Sequence, residues 1–276
     1  MPIPTGQPSM SRYQEPCFRL PFLWSFRAVW ILGMPLAVVC LPQNAIGDVY
    51  ELRTYTTPEG KLEALHTRFR DHTIALFDKH GMKSVGYWVP SSPPKSKNTL
   101  IYVLKHKSRE KAAESWKAFV ADPVWQKAFQ ESRKEGPLLA KAPESVFMKA
   151  TDYSPKTKNE SGTGLPPSFE LRIYKTHPGK LAALDARFRD HTVKLFTRHG
   201  ITNVAYWHPL DEADSKDTLI YIVRHNSKES ASKSWSNFGK DPDWKKAAAA
   251  SRADGPILRE RPFSIYMKAT DYSAIR

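Results

Sequence analysis

Cysteine is nearly absent: the 276 residues hold two, Cys17 and Cys40, both inside the first 47. A cut behind that stretch leaves no thiol, which excludes a disulfide scaffold, a thiolate zinc site and a cysteine nucleophile. Glycine is sparse at 13 residues and builds neither a phosphate-cradling loop nor a nucleophile elbow. Gly162-Thr-Gly164 has no strand before it and is no dinucleotide site. No two histidines stand at metal-ligating helical spacing, so neither a metal centre nor a cofactor is expected. Acids are outnumbered, 28 against 42 lysines and arginines, for a formal charge of +14. The densest basic stretch, Lys95 to Lys111, comes with no recognition helix, zinc finger or RNA-binding aromatic signature. No nucleic-acid partner is expected, and binding of an anionic membrane or polysaccharide is kept as one alternative. Long apolar runs are missing too: the uncharged block Ala28 to Leu41 has about 14 residues, against roughly 20 for a spanning helix.

That block has a different meaning. Arg12, Arg19 and Arg27 precede it, and Ala45 and Gly47 follow at the minus-three and minus-one positions of a cut before Asp48. A basic, then apolar, then small-residue order predicts a secretory signal peptide over residues 1–47 and a periplasmic or secreted product. The removed segment carries three basic residues and one acid, so the processed chain keeps a formal charge of +12. The alternative is an N-terminal membrane anchor, reached by extending the block back to Leu20 through Arg27.

Beyond the signal, the sequence repeats itself. Residues 50–153 match 169–272 at a constant offset of 119 without a gap, and about half the positions are identical. Two domains follow, 48–153 and 169–276, joined by a linker at 154–168. In the first, VYELRTY alternates as a strand, and Leu62, Leu65, Phe69, Leu76 and Phe77 recur at helical spacing until Gly81 ends the helix. Two more strands, Lys83 to Val89 and Thr99 to Lys105, flank a proline-rich loop. A helix from Ser108 carries Ala112, Trp116 and Phe119, and Asp122-Pro123 opens another as N-cap and first residue. Ser145 to Ala150 is the last strand. The fold class is α+β: tandem ferredoxin-like β-α-β-β-α-β repeats. Each four-stranded sheet has helices on one face only, so the two bare faces are expected to pack sheet-to-sheet as an internal dimeric α/β barrel. Further oligomerisation is left open.

YELRTY, FRDHT, GYW, TLIYVLKH and the Asp-Pro-x-Trp turn together resemble the NIPSNAP family, over Tyr50 to Ser154 and again over Phe169 to Ser273. The resemblance implies the dimeric α/β-barrel superfamily, which includes antibiotic-biosynthesis-type monooxygenases, haem-degrading oxygenases and chlorite-dismutase-like proteins. NIPSNAP proteins themselves are mitochondrial or vesicle-associated and implicated in trafficking and mitophagy signalling; an exported tandem form departs from that setting.

His72 and His191 fall three residues after Phe69 and Phe188, on the expected apolar helix face, where a buried imidazole is either a satisfied core group or a base. His80 and His199 lie at helix C-termini, where the dipole favours a cation. On the first strand, Glu51, Arg53 and Tyr55 alternate with Tyr50, Leu52 and Thr54. If the second set meets the helices, the Glu-Arg-Tyr row, repeated as Glu170, Arg172 and Tyr174, faces the partner sheet. It then either fixes an anionic or carbonyl-bearing ligand or forms an ion pair holding the halves in register. Trp88, Tyr102, Trp207 and Tyr221, with Tyr87 and Tyr206, can line an aromatic cavity or be plain core. Arg70-Asp71 is read as a solvated local pair or a cap contact, and Arg133 and Arg252 as residues near helix ends. The expected function is a binding module for an unknown small molecule or protein, acting at the inter-repeat face. The alternative enzyme is a cofactor-independent monooxygenase in which His72 or His191 orients or deprotonates an aromatic substrate beside Trp88 and Tyr102.

Overall fold

The computed structural model describes residues 47–156 and 166–276, so the predicted signal segment, save Gly47, and the middle of the predicted linker lie outside the described residues. The first repeat runs β1 (Val49–Thr56), α1 (Leu62–Arg68), a π-helical turn (Phe69–Thr73), α2 (Ile74–Lys79), β2 (Lys83–Pro90), β3 (Thr99–His106), α3 (Arg109–Ala121), α4 (Pro123–Glu131) and β4 (Glu144–Ala150). The second runs β5 (Ser168–Lys175), α5 (Leu181–Arg187), a second π-helical turn (Phe188–Thr192), α6 (Val193–Arg198), β6 (Thr202–Pro209), a short α7 (Glu212–Ser215), β7 (Thr218–His225), α8 (Lys228–Lys240), α9 (Pro242–Ala250) and β8 (Phe263–Ala269). Local chemistry sets these boundaries. Gly81 stops α2 at φ +78°, a backbone angle that L side chains avoid. Ser108 Oγ accepts the Lys111 N–H at 3.1 Å to start α3, and Asp122 accepts the Val124 N–H at 2.8 Å ahead of Pro123.

The eight strands form one closed antiparallel barrel in the order β1-β3-β2-β8-β5-β7-β6-β4, with helices outside it. Covering of one bare sheet face by the other was expected from the sequence. The structure adds hydrogen-bonded seams at both edges, where β2 pairs with β8 (Trp88 opposite Ala269) and β4 with β6 (Ala150 opposite Trp207). Closure leaves no free sheet edge. The interior is filled by apolar side chains from both repeats, among them Leu52, Trp88, Met148, Phe169, Trp207 and Met267. Trp88 meets Phe169 at 5.7 Å between ring centroids, and Tyr50 meets Trp207 at 5.7 Å, the same two positions exchanged between copies.

One expectation is reversed. Tyr50 and Leu52 point into the barrel, while Tyr55 packs with Leu65 and Phe69 under the helices, so the Glu51-Arg53-Tyr55 row faces the helix layer and not the partner sheet. The closed interior is an apolar plug with few donors to offer. The helix layer supplies an indole N–H and an imidazole, and a buried carboxylate goes where its partners are.

The repeats also exchange their tails. Tyr272, beyond β8, packs into the aromatic core under α1 and α2, and Tyr153, beyond β4, does the same under α5 and α6. Ser273 Oγ accepts the Tyr87 N–H and Ser154 Oγ the Tyr206 N–H, both at 2.9 Å. Arg70 pairs bidentately with Asp271 at 2.7 and 3.0 Å, and Arg189 with Asp152 at 2.6 and 2.8 Å. Arg70 therefore reaches across to the other repeat and not to Asp71 as read from the sequence.

Packing at Trp88 leaves no slack beside Gly86, where an added Cβ would lie 2.4 Å from the indole ring. The second copy has Ala205 at this place. Gly86→Ala is expected to lower unfolding stability by about 1–3 kcal/mol, whereas Ala205→Gly should cost no more than about 1 kcal/mol. Urea denaturation midpoints check both, and an unchanged midpoint for Gly86→Ala would contradict the packing.

Candidate functional site

The two FRDHT segments form π-helical turns, each carrying one residue more per turn than an α-helix would. The phase of the helix slips, and Thr73 and Thr192 turn inward in place of the preceding histidines. His72 and His191, expected on the apolar face, are exposed. His191 lines an open groove with Asp190, Lys194, Arg198 and Asp243. The inward threonine hydroxyls donate to the carbonyls of Arg68 and Arg187, both at 3.1 Å. Those arginines end α1 and α5 and are themselves buried. His80 and His199 do lie at helix ends, and each ring Nε2 meets the next helix pair's N-cap carboxylate, Asp122 at 2.8 Å and Asp241 at 2.6 Å.

Beneath the helices of each repeat sits a carboxylate that is 1 % exposed. Glu51 accepts from Arg53 Nη1 (2.5 Å), Ser145 Oγ (2.7 Å) and Trp116 Nε1 (2.8 Å), and its Oε2 lies 3.0 Å from His106 Nε2. Glu170 repeats the set with Arg172 (2.5 Å), Ser264 (2.5 Å), Trp235 (2.8 Å) and His225 (3.2 Å). Burial alone would raise these carboxyl pKa values. The bond to the histidine, the arginine charge and the serine and indole bonds outweigh it and hold both at about 2. His106, His225, Ser145 and Ser264 were not singled out in the sequence, although both histidines close the TLIYVLKH and TLIYIVRH strands. The ion pair lies within one repeat, so it does not hold the halves in register.

The predicted binding residues divide between the two faces of the sheet. Arg53, Tyr55 and Tyr102 converge on the helix side: the Arg53 guanidinium is 5.6 Å from the Tyr55 ring and 4.3 Å from Trp116, and Tyr55 and Tyr102 meet edge to face at 5.3 Å. Arg172, Tyr174 and Tyr221 do the same, with Arg172 Nη2 3.3 Å from the Tyr174 hydroxyl. Trp88 and Trp207 belong to the barrel interior and share no site with them. Burial pushes the Tyr102 and Tyr221 phenols well up.

This helix-side layer is under-satisfied. Arg53 Nε, Arg68 Nε, the Tyr102 hydroxyl and His106 Nδ1 are buried without hydrogen-bond partners, as are Arg172 Nε, Arg187 Nε, the Tyr221 hydroxyl and His225 Nδ1. Such atoms keep unused hydrogen-bonding capacity, which water or a ligand can take up. In the second repeat the layer opens into a cleft of about 320 Å³, walled by Tyr174, Phe188, Phe238 and Trp244, with Arg187 and Arg252 at its side. The volume suits a small organic ligand. Arg68 and Arg187 were missed in the sequence; the signal was their place one residue before FRDHT. The basic stretch Lys95 to Lys111 is partly neutralised, with Lys105 on Asp48 (2.6 Å), Arg109 on Asp211 (2.9 Å) and Lys111 on Glu114 (2.6 Å). Among the described residues no group of three or more His, Cys, Asp or Glu is placed to hold a metal ion.

The NIPSNAP family model matches residues 50–155 and 169–273. No curated protein matches the chain significantly. Among solved structures, a proposed monooxygenase from Lactobacillus acidophilus superposes with a TM-score of 0.54 at 8% identity, covering 83% of this chain and 96% of its own. A second, from Fusobacterium nucleatum, gives 0.52 at 7% identity, covering 82% and 93%. A NIPSNAP family protein of unknown function from Agrobacterium tumefaciens is 26% identical, with a TM-score of 0.35, covering 40% of this chain and 95% of its own. The first two likenesses are of fold.

Removing one buried carboxylate tests the network. Glu51→Gln leaves the Arg53 charge uncompensated and is expected to cost about 3–5 kcal/mol of stability. Carboxyls that ordinarily titrate at 4.5 and are held at about 2 contribute fully above pH 4.5, and that contribution is lost as the pH falls toward 2. Calorimetric melting temperatures should therefore decline across that window, and less steeply in Glu51→Gln. An acid limb of unaltered slope in the variant would refute this assignment.

Proposed function

Because the chain belongs to the NIPSNAP family, with both repeats matched, we propose that it is an exported binding module for a small molecule. The ligand sits between helix layer and sheet within a repeat. The observation that carries this reading is the second-repeat cleft, with aromatic walls and buried polar atoms lacking partners close by. The inter-repeat face first expected to bind is filled by the apolar interior, and its predicted polar residues lie on the opposite side of the sheet. The barrel is read as two ferredoxin-like halves, supported by the strand order β4-β1-β3-β2 in one half and its repetition in the other. Export rests on the basic, apolar and small-residue order of residues 1–47.

A second reading is the cofactor-independent oxygenation of an aromatic substrate expected from the sequence, which the fold neighbours named as proposed monooxygenases support. Its expected base does not converge with its expected cavity: His72 is exposed, Trp88 is inside the barrel and Tyr102 is under the helices. Binding without turnover is the better supported of the two.

A thermal-shift screen of the purified protein against neutral and anionic aromatic compounds tests the cleft. Compounds that stabilise the wild type should lose their effect in Ala248→Phe, which fills the cleft from α9; shifts that persist in that variant would place binding elsewhere. Secreted protein should begin at Asp48 by intact mass, and a retained N-terminus would favour the anchor.

A further inference from the structure

Most arginines given a partner by this structure meet an acid. Arg70, Arg109, Arg189, Arg198 and Arg259 meet aspartates at the surface, and Arg53 and Arg172 meet buried glutamates. Arg187 differs. It is 8 % exposed, its Nη1 donates to Ser251 Oγ at 3.1 Å, and its Nε has no partner. The guanidinium carbon stands 5.3 Å from the Trp244 ring. Burial disfavours its cation most, the Tyr174 phenol acts the other way, and the Arg252 charge repels it; no carboxylate is among these influences. Arg252 is held at the cleft by its own Nε bond to the Ala248 carbonyl at 2.8 Å. Among the described residues that line the cleft, none is acidic. A guanidinium does not deprotonate in proteins, so the site carries a buried positive charge that lacks its counter-charge.

Resting on the reading of this cleft as the binding site, we infer that its ligand is an aromatic carboxylate. Its planar body lies against Trp244 and the phenylalanines, and its carboxylate is received by Arg187 and Arg252. Guanidinium groups match a carboxylate in geometry and charge, and aromatic walls favour a flat apolar body over a bare inorganic anion.

The same comparison assigns the site to one repeat. Phe129 stands where the second repeat has Ala248, with its ring 5.7 Å from the Arg68 guanidinium, 4.8 Å from that of Arg133 and 5.6 Å from the Trp125 ring. It occupies the space a ligand would take. A hollow of about 240 Å³ in the first repeat keeps Arg68 and Arg133 but is otherwise lined by Phe129, Pro137, Leu139 and Lys141, without the counterparts of Tyr174, Phe188, Phe238 or Trp244. Arg68, equally buried and equally without an acid, receives the Phe129 ring in the ligand's place.

Isothermal titration of the purified protein with 1-naphthoate and with its uncharged amide, 1-naphthamide, tests this. The expected result is one equivalent of naphthoate per chain, bound about tenfold or more tighter than the amide. Arg252→Gln, at an exposed position that does not endanger folding, should erase most of that preference, as should Arg187→Gln if it folds. Phe129→Ala should raise the stoichiometry to two. Equal affinity for acid and amide would overturn the carboxylate assignment while leaving the cleft as the binding site; failure of both to bind would overturn the two together. Displacement of naphthoate by an equal concentration of inorganic phosphate would reduce the site to a bare anion site. Stoichiometry fixed at one in Phe129→Ala would overturn the role given to Phe129.

Discussion

One buried carboxylate in each repeat ties together every layer of the structure. Glu51 sits on β1, but its partners come from β1, β3, β4 and α3. An ionised carboxylate out of water is tolerable only when its lone pairs are taken up, and this one has four donors around it. That requirement fixes the register of three strands and the rotation of a helix at once. It also decides the handedness of the alternation on β1: with the polar row committed to the helix layer, Leu52 and its neighbours must fill the barrel. Arg53, held on Glu51, lies over Trp116 and Tyr55, and these lead outward to the arginine that precedes the π-helical turn. In the second repeat the equivalent contacts, from Arg172 over Tyr174 and Trp235 to Arg187, end at the cleft.

The two repeats keep this inner network closely alike and differ at its rim. Glu170, Arg172, His225, Trp235 and Ser264 reproduce the first set bond for bond. Outside it, Phe129 corresponds to Ala248, Val124 to Asp243, and His66, which bonds Tyr272 at 2.6 Å, to Asp185, which accepts from Tyr153 at 2.7 Å and lies 3.0 Å from His208. A network needed for folding tolerates little change in either copy. A rim residue is free to change in one copy once the other carries the site.

Much of the architecture is legible in the sequence because it rests on period and punctuation. The strands alternate, the helices recur at their spacing, and Gly81, Ser108 and Asp122-Pro123 mark ends that the backbone respects. Alternation on VYELRTY separates two faces without saying which one meets helices, since both faces mix polar with apolar groups. The slip at FRDHT is hidden for a related reason. His72 and Thr73 are both polar, and no apolar residue stands at either position to report the phase. Seams between β2 and β8 and between β4 and β6 are pairings between distant strands, and nothing local encodes them. The buried arginines show the same limit: they are covered by Trp125 and Trp244, which arrive from another helix.

Exchange of the tails bears on the order in which the protein can be made. The aromatic core under the first helices is completed by Tyr272 and Ser273, about 200 residues further along the chain, and β2 waits for β8 before its free edge is covered. A chain emerging N-terminus first therefore carries its first repeat with an open edge and an unfilled core until β8 and Tyr272 have followed. Closure is a late, long-range event of the kind that is slow to reach.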